Sequence, residues 1–344
     1  LQSAIHRFGT SDTKALFEGL GVALKTERGN RVFPVSDRAD DVADALAELA
    51  RKNGVRVIRE KAKRILTDET GAVRAVQTER GEIDCANAVI ATGGLSYPGT
   101  GSTGDGYRMA KELGHTVNTC RPSLVPLESP DKWCREMQGF SLRNVELSAY
   151  EDDKLIYKAL GEMLFTHFGV SGPLVLSASA HMRRFGQSKY RLSIDLKPGL
   201  DDKKLDARLL RDFEKYSNRE FRNSLGDLAG RAMIPVLVEL SGIPGETRTN
   251  SVTRQQRAAL AALLKAFPVS ISGPRPIAEA IITSGGVATN EVNPRTMGSK
   301  LVPGLYFVGE VLDLDAYTGG YNLQIAWSTA FVAANSLQQG CEDG

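Results

Sequence analysis

The chain is poor in cysteine and histidine, has no long apolar run and carries no surplus of charge. It has 344 residues, of which four are cysteine and four histidine. Cys85, Cys120, Cys134 and Cys341 are widely spaced and form no CxxC pair. Neither a zinc site nor a vicinal redox pair is indicated, and each reads as a small apolar residue. So sparse a thiol set fits a reducing cytoplasm. No stretch of about 18 apolar residues occurs, so no membrane span is expected, and no signal peptide is visible. Lys and Arg number 43 against 41 Asp and Glu, a net charge of +2. That argues for neither a membrane nor a nucleic-acid partner by itself, and no DNA partner is expected. Internal repeats and low-complexity tracts are also missing. What remains, 42% hydrophobic and 24% charged, suits a globular protein with room for more than one domain.

The most informative stretch lies near the C-terminus. Leu305, Tyr306, Phe307 and Val308 form a short apolar run, read as a buried strand. Gly309 and Glu310 end it. Gly319-Gly320 is a turn that glycine enters cheaply. From Tyr321 onward Leu323, Trp327, Phe331, Ala334 and Leu337 fall at helical spacing, which predicts a buried helix face. Strand, acid, glycine pair and helix start together gather free backbone N–H groups and the positive end of a helix dipole. Such a corner suits a group that gains negative charge, as a flavin does on reduction. A plain strand–turn–helix corner has the same pattern, and helix N-termini bind many anions.

Earlier in the chain, Asp12 is placed to cap one helix and Asp37 or Asp40 the next, whose apolar face is Val42, Ala45, Leu46 and Leu49. Val55-Arg-Val-Ile58, Ile65-Leu66 and Val73–Thr78 read as strands. Ala86-Asn-Ala-Val-Ile-Ala-Thr-Gly-Gly94 is a strand ending in small residues, which let a backbone approach a flat ligand. Gly99-Thr-Gly-Ser-Thr-Gly104 matches GxGxxG formally. It does not sit directly on the strand end, and no acid follows at the expected distance, so it reads as a glycine-rich active-site loop before a helix over 105–113.

Residues 121–128 read as a proline-interrupted linker. Alternating runs at 145–150, 154–157, 163–165 and 190–195 predict a small β-barrel or sandwich. Ser171 is a candidate cap for a helix over 173–180. His167 is either a proton donor or substrate ligand, or a hydrogen-bonded structural histidine. From 201 to 279 the pattern is helical, with Leu205, Leu209 and Phe213 on one face and Leu260, Leu263, Leu264 and Phe267 on another. Arg208, Arg211, Arg219, Arg222 and Arg231 can hold phosphates or simply face water.

Gly309-Glu-Val-Leu-Asp313 and Gly319-Gly-Tyr-Asn-Leu-Gln324 resemble the C-terminal FAD signature of the BaiN/RdsA-type, aminoacetone-oxidase-like NAD(P)/FAD-dependent flavoproteins. Three further blocks agree in order: residues 29–37, residues 91–106 and residues 164–173. The resemblance implies an α/β fold: an FAD-binding, Rossmann-like domain of the two-dinucleotide-fold type, interrupted by an insert. The expected division is 1–122 and 276–344 for the FAD domain. The insert is expected over 123–275, with a β-barrel at about 123–198 and a helical subdomain at about 199–275.

It also implies FAD as cofactor and a reduced nicotinamide, NAD(P)H, as electron donor. Cofactor contacts are expected at Ala62 (adenine), at Thr92, Gly93 and Gly94, and at Gly309 and Glu310 (ribityl or phosphate). The backbone of Gly319, Gly320, Tyr321, Asn322 and Leu323 is expected at the isoalloxazine edge. No catalytic base stands out; His167, Tyr97 and Thr283 are candidates by resemblance and location. The first functional expectation is hydride transfer between nicotinamide, FAD and an unidentified substrate, the partner being a small molecule or RNA. The second is an RNA substrate, with dihydrouridine made in ribosomal RNA. The third is a non-catalytic fragment or binding module. Family members open with a strand, a glycine-rich turn and a helix, whereas this chain opens at Leu1 in what reads as mid-helix. A chain lacking that first βαβ unit is therefore expected, binding FAD weakly and aggregating when expressed alone.

Overall fold

The computed structural model describes residues 1–27 and 29–342, with side chains through residue 338. Cys341 therefore lies outside the described side chains. The chain divides into two compact units, Leu1–Pro122 with Ile281–Gly344, and Ser123–Ala280.

The first unit is mixed α/β. Its centre is a parallel pair, Leu305–Phe307 against Ala88–Ile90, with Phe307 opposite Ile90. Both strands are short and apolar; Ala88, Ile90, Leu305 and Phe307 are buried, whereas Val89 is exposed. The helices Asp105–Glu112 and Tyr321–Glu342 pack there through Tyr107, Met109, Ala110, Val332 and Ala333. A three-stranded antiparallel sheet, Ala62–Thr67, Val73–Thr78 and Glu82–Asp84, adds Ile65 and Val73 to the same core. Ile282–Val287 pairs with Val117–Ser123.

Several local expectations are corrected. Residues 55–58 are not a strand: they have no regular structure, and Val57 is 77% exposed. Their β-branched pattern has no pairing neighbour among the described residues, and a strand needs a ladder to satisfy its amides. Neither Asp37 nor Asp40 caps the helix Ala39–Lys52, whose N-cap is Arg38 with no side-chain bond. Asp12 lies in the first turn of Thr10–Gly19, where its carboxylate accepts the Gly9 N–H at 2.8 Å.

The face of Tyr321–Glu342 is also displaced. Gln324, Ile325, Ser328, Thr329, Val332 and Ala333 are buried, whereas Leu323 is 58% exposed and Phe331 is exposed as well. Polar groups line this seam because they have bonds to make. Ser328 Oγ donates to Phe8 O at 2.7 Å, and the Gly309 N–H donates to Thr329 Oγ1 at 3.0 Å. Phe331 stacks on Phe8 at the margin, with centroids 4.7 Å apart.

The second unit is built on a seven-stranded antiparallel sheet. Its order runs from Phe267–Ile271 through Tyr190–Asp195, Ser141–Glu151, Lys154–Thr166, Gly169–Ser171 and Leu127–Glu128 to Gly273–Pro274. The two edge strands are separated in sequence by Ser272 alone, so the sheet curls until its edges nearly meet. Leu147, Ala149, Met163, Phe165, Leu192, Ile194, Phe267 and Val269 fill the inside. Phe267 thus opens a strand rather than continuing the helix Arg254–Lys265, and residues 267–274 join the barrel-like sheet instead of the helical region. Residues 127–128 belong to that sheet as well, not to a linker.

Three helices, Asp202–Lys215, Ile234–Ser241 and Arg254–Lys265, cover the sheet with Leu205, Leu209, Phe213, Leu237, Leu260 and Leu264. Gly172, not Ser171, is the N-cap of Pro173–Ser179. Its φ of 94° and the approach of Met163, whose Cα would lie 2.9 Å from an added methyl, leave room for glycine alone.

Candidate functional site: a glycine-opened helix and a half-buried acid

The strand Leu305–Phe307 delivers the chain to Gly309, which turns at φ 73°. A short 3-10 turn then points Glu310 inward. Its Oε1 accepts the Thr283 N–H at 2.7 Å. Thr283 is fully buried, and its Oγ1 accepts the N–H of Leu95 at 2.7 Å and of Ser96 at 3.2 Å, with Ser96 Oγ 3.1 Å away. A methyl added to Gly94 would overlap the Thr283 hydroxyl and lie 2.7 Å from Glu310 Oε1. Gly94, Thr283 and Glu310 are therefore one knot, which ties the end of the strand Ala88–Ile90 to two distant segments.

Burial pushes the Glu310 carboxyl above the ordinary carboxylate range, and the hydrogen bonds from Thr283 only partly offset it. Tyr107 Oη donates to the Glu310 backbone oxygen at 3.4 Å, and burial drives that phenol well up. The Cys120 thiol, beside Tyr107, is raised by burial too.

Gly319 and Gly320 follow at φ 117° and 90°, and nothing lies within 4 Å of where a methyl on Gly320 would stand. Asn322 latches this loop from inside the helix. Its Oδ1 accepts the Ala316 N–H, and its Nδ2 donates to Ala316 O, each at 2.9 Å. The first intrahelical bond is Gln324 N–H to Gly320 O at 3.0 Å. The amides of Tyr321, Asn322 and Leu323 precede it and have no intrahelical acceptor. They open a helix of 22 residues at its positive end.

At the end of Ala88–Ile90, Thr92 Oγ1 is buried without a hydrogen-bond partner among the described residues. It presses on Gly106, where an added methyl would overlap it. Ala62 starts its strand between Lys61, which pairs with Asp105 at 3.0 Å, and Lys63, whose carbonyl accepts from Arg108 at 2.7 Å. The start of this strand, where the adenine contact is expected, is thus tied to the helix Asp105–Glu112.

The structure brings Gly94, Thr283, Gly309 and Glu310 together. The Thr283 hydroxyl is consumed by two backbone amides, so it holds a loop rather than facing a reactant. Tyr97 is exposed in a left-handed turn, φ 48°. His167 belongs to the other unit, where it is exposed and edge-on to Phe168, with centroids 5.0 Å apart. Sequence reasoning missed Ser96, Gly106, Tyr107 and Thr329. The run Thr103-Gly-Asp-Gly106, with a second glycine inside a helix start, was the one available signal.

The donors fit FAD: an open glycine-started helix for the flavin's electron-rich edge, an acid for hydroxyls, an orphan hydroxyl and a close-packed Gly94. The class so defined is an FAD-dependent oxidoreductase built on a Rossmann-type domain. The family model described as "HI0933-like protein Rossmann domain" matches residues 1–336, and the chain belongs to that family.

The chain is 32% identical over 337 residues to a ribosomal RNA dihydrouridine synthase of Escherichia coli, covering 98% of this chain and 81% of that protein. It is 27% identical over 343 residues to a 3-dehydro-bile acid delta(4,6)-reductase of Clostridium scindens, covering 98% and 82%. Among solved structures it is similar to an open flavocytochrome c3 fumarate reductase, with 15% identity, TM-score 0.40 and 94% of this chain covered. A 3-ketosteroid-delta4-(5alpha)-dehydrogenase from Rhodococcus jostii has 15% identity and TM-score 0.38, with 86% covered. The chain spans 61% and 62% of those two structures.

Proposed function

We propose that the chain passes hydride from a reduced nicotinamide through FAD to a carbon–carbon double bond of its substrate. The observation that carries this is the corner itself: three amides at the start of Tyr321–Glu342, a half-buried acid held by Thr283, and an open glycine pair. When bound, FAD supplies the hydride acceptor and donor. The chain's residues bind and orient. The amides of residues 321–323 meet the pyrimidine edge, where negative charge grows on reduction. Glu310 takes the ribityl hydroxyls, and Thr92, Gly93 and Gly94 line the ring system. Ala62 takes the adenine. Thr283 and Asn322 hold the two loops that carry these groups.

The names of the relatives favour a double-bond substrate, since one makes a dihydro-nucleoside in RNA and the other is a delta(4,6)-reductase. An RNA substrate is the second reading, favoured by the 32% identity to the E. coli protein. The helical arginines support it weakly. Arg208 is bonded to Asp212 at 2.9 Å and Arg222 to Glu220 at 2.9 Å, so their charge is largely answered within the chain.

The test is anaerobic reduction of FAD-loaded protein with NADH and NADPH, followed by reoxidation with ribosomal RNA or with a small conjugated enone. Bleaching of the flavin band and its return with one acceptor class is expected. RNA binding that weakens steeply with salt selects the second reading. Protein that takes up no FAD sinks both.

A further inference from the structure

Away from the glycine corner, His115 stands just past the helix Asp105–Glu112, only 4% exposed and with a partner on each ring nitrogen. Its Nδ1 is 3.2 Å from Glu291 Oε2, and its Nε2 is 2.8 Å from Ser299 Oγ. Phe307 meets the ring edge-on, with centroids 4.8 Å apart. Ser299 Oγ also accepts the N–H of Leu301 at 3.0 Å and of Val302 at 2.8 Å. Glu291 Oε2 accepts the Thr116 N–H at 2.8 Å.

These bonds assign the protons. A hydroxyl has two lone pairs and one hydrogen. Both lone pairs of Ser299 are taken by amides, so its hydrogen goes to Nε2, which must be bare. Nδ1 faces a carboxylate and must carry the ring's hydrogen. His115 is therefore a neutral imidazole with its proton on Nδ1. A second proton, on Nε2, would point at an oxygen whose lone pairs are spent, and the Ser299 hydrogen would lose its acceptor. Only the release of Leu301 or Val302, or the withdrawal of Ser299 from the ring, relieves that conflict.

The segment so held flanks the core. Ser299 N–H donates to Leu305 O at 2.7 Å, and Phe307 N–H donates to Met297 O at 3.1 Å. Residues 297–299 thus line the edge of Leu305–Phe307 opposite Ala88–Ile90.

We propose that His115, Ser299 and Glu291 form an acid-sensitive latch: protonation of His115 frees residues 289–302 and uncovers that edge of Leu305–Phe307. The latch does not depend on the FAD site. Other charged groups surround it. Asp105–Glu112 carries Lys111, and Arg108 and Glu112, which answer each other at 3.0 Å. Val117–Ser123 carries Cys120 and Arg121, the latter with a partner of its own. Residues 289–302 add Arg295 and Lys300, whose Nζ donates to Asn290 O at 2.8 Å. Leu305–Phe307 adds Tyr306, and Ile282–Val287 carries no titratable side chain. Glu291, in contact with the ring, favours the imidazolium, but burial outweighs it and holds His115 below the ordinary histidine range. A histidine so held contributes stability that is fully present above its unfolded value, about pH 6.5, and is lost as pH falls toward its folded value.

The experiment is nitrogen NMR of the histidine-labelled full chain from about pH 8 to about pH 5, with hydrogen exchange of backbone amides over the same range. One of the four imidazoles should show a protonated Nδ1 and a bare Nε2, and should keep that form below the pH where free histidine titrates. Protection of residues 289–302, after division by intrinsic rates, should fall by up to about tenfold per pH unit below about pH 6.5, while residues 141–166 of the other unit stay protected. Ser299→Ala, which removes the conflict, should let His115 titrate nearer its ordinary value and should flatten the pH dependence of that protection.

A His115 protonated on both nitrogens at neutral pH, or on Nε2 alone, overturns the latch. So does protection of residues 289–302 that is indifferent to pH, or a pH dependence unchanged in Ser299→Ala. The wild-type spectra and exchange decide the matter even where Ser299→Ala fails to fold.

Discussion

At the scale of single residues, the corner depends on backbone conformations that side chains would spoil. Gly320 sits at φ 90° with open space where its side chain would be. Valine there meets no neighbour, so the cost is conformational, about 1–3 kcal/mol. The fold survives that, but the amides of residues 321–323 move off their positions. Gly320→Val should weaken FAD by about tenfold or more, with far-UV circular dichroism unchanged. Titration giving wild-type affinity would show that these amides are not at the cofactor.

Glu310 and the glycines were legible in the sequence because each announces itself by type and spacing. The knot around them was not. Thr283 bonds to Leu95 and Ser96 across 188 and 187 positions, and only the folded backbone brings a buried threonine to two amides.

At the scale of elements, the helix Tyr321–Glu342 shows why apolar spacing misleads at a polar seam. Its buried stripe carries Gln324, Ser328 and Thr329, because the facing groups, Phe8 O and Gly309 N, need partners in a dry place. Counting Leu323 and Phe331 as the inner face therefore selected a margin. Thr329→Val keeps the shape but leaves the buried Gly309 N–H without its acceptor. It should cost about 1–3 kcal/mol, measured by urea unfolding. A loss below a few tenths would mean that water replaces the hydroxyl.

The residue pattern at 55–58 misled for the opposite reason: alternation describes a strand only where another strand is present to pair with it. The loop containing Gly99, Gly101 and Gly104 is a third case. It opens a helix of eight residues but is separated from the preceding strand, Ala88–Ile90, by residues 91–98. Gly101→Ala, at φ 100° and facing open space, should leave nicotinamide affinity within a few-fold of wild type. Nicotinamide binding that vanishes while FAD stays bound would make this loop a dinucleotide site after all.

At the scale of the whole molecule, residues 123–280 have the anatomy of an inserted domain. Their two ends are paired strands: Leu127 lies opposite Pro274 and Glu128 opposite Gly273, and the Arg275 N–H donates to Pro126 O at 2.9 Å. Arg275 also bridges Glu128 at 2.9 Å and Glu279 at 2.7 Å across this mouth. The large core, from Leu127 to Val269, draws every member from within the unit. A segment whose ends are joined and whose core is its own can fold by itself. Residues 123–280 produced alone should therefore be monomeric and melt in one cooperative transition. Trp133 is the only tryptophan in that segment, the other being Trp327, so its fluorescence reports the segment without ambiguity. Leu147, fully buried in the middle of the sheet, supplies the control. Leu147→Ala should remove about 2–5 kcal/mol, which lowers the melting temperature by roughly 5–15 °C in a domain of this size. A segment with no cooperative melt, or one indifferent to Leu147→Ala, would mean that the sheet is not closed by its own ends and needs the flanking chain to fold.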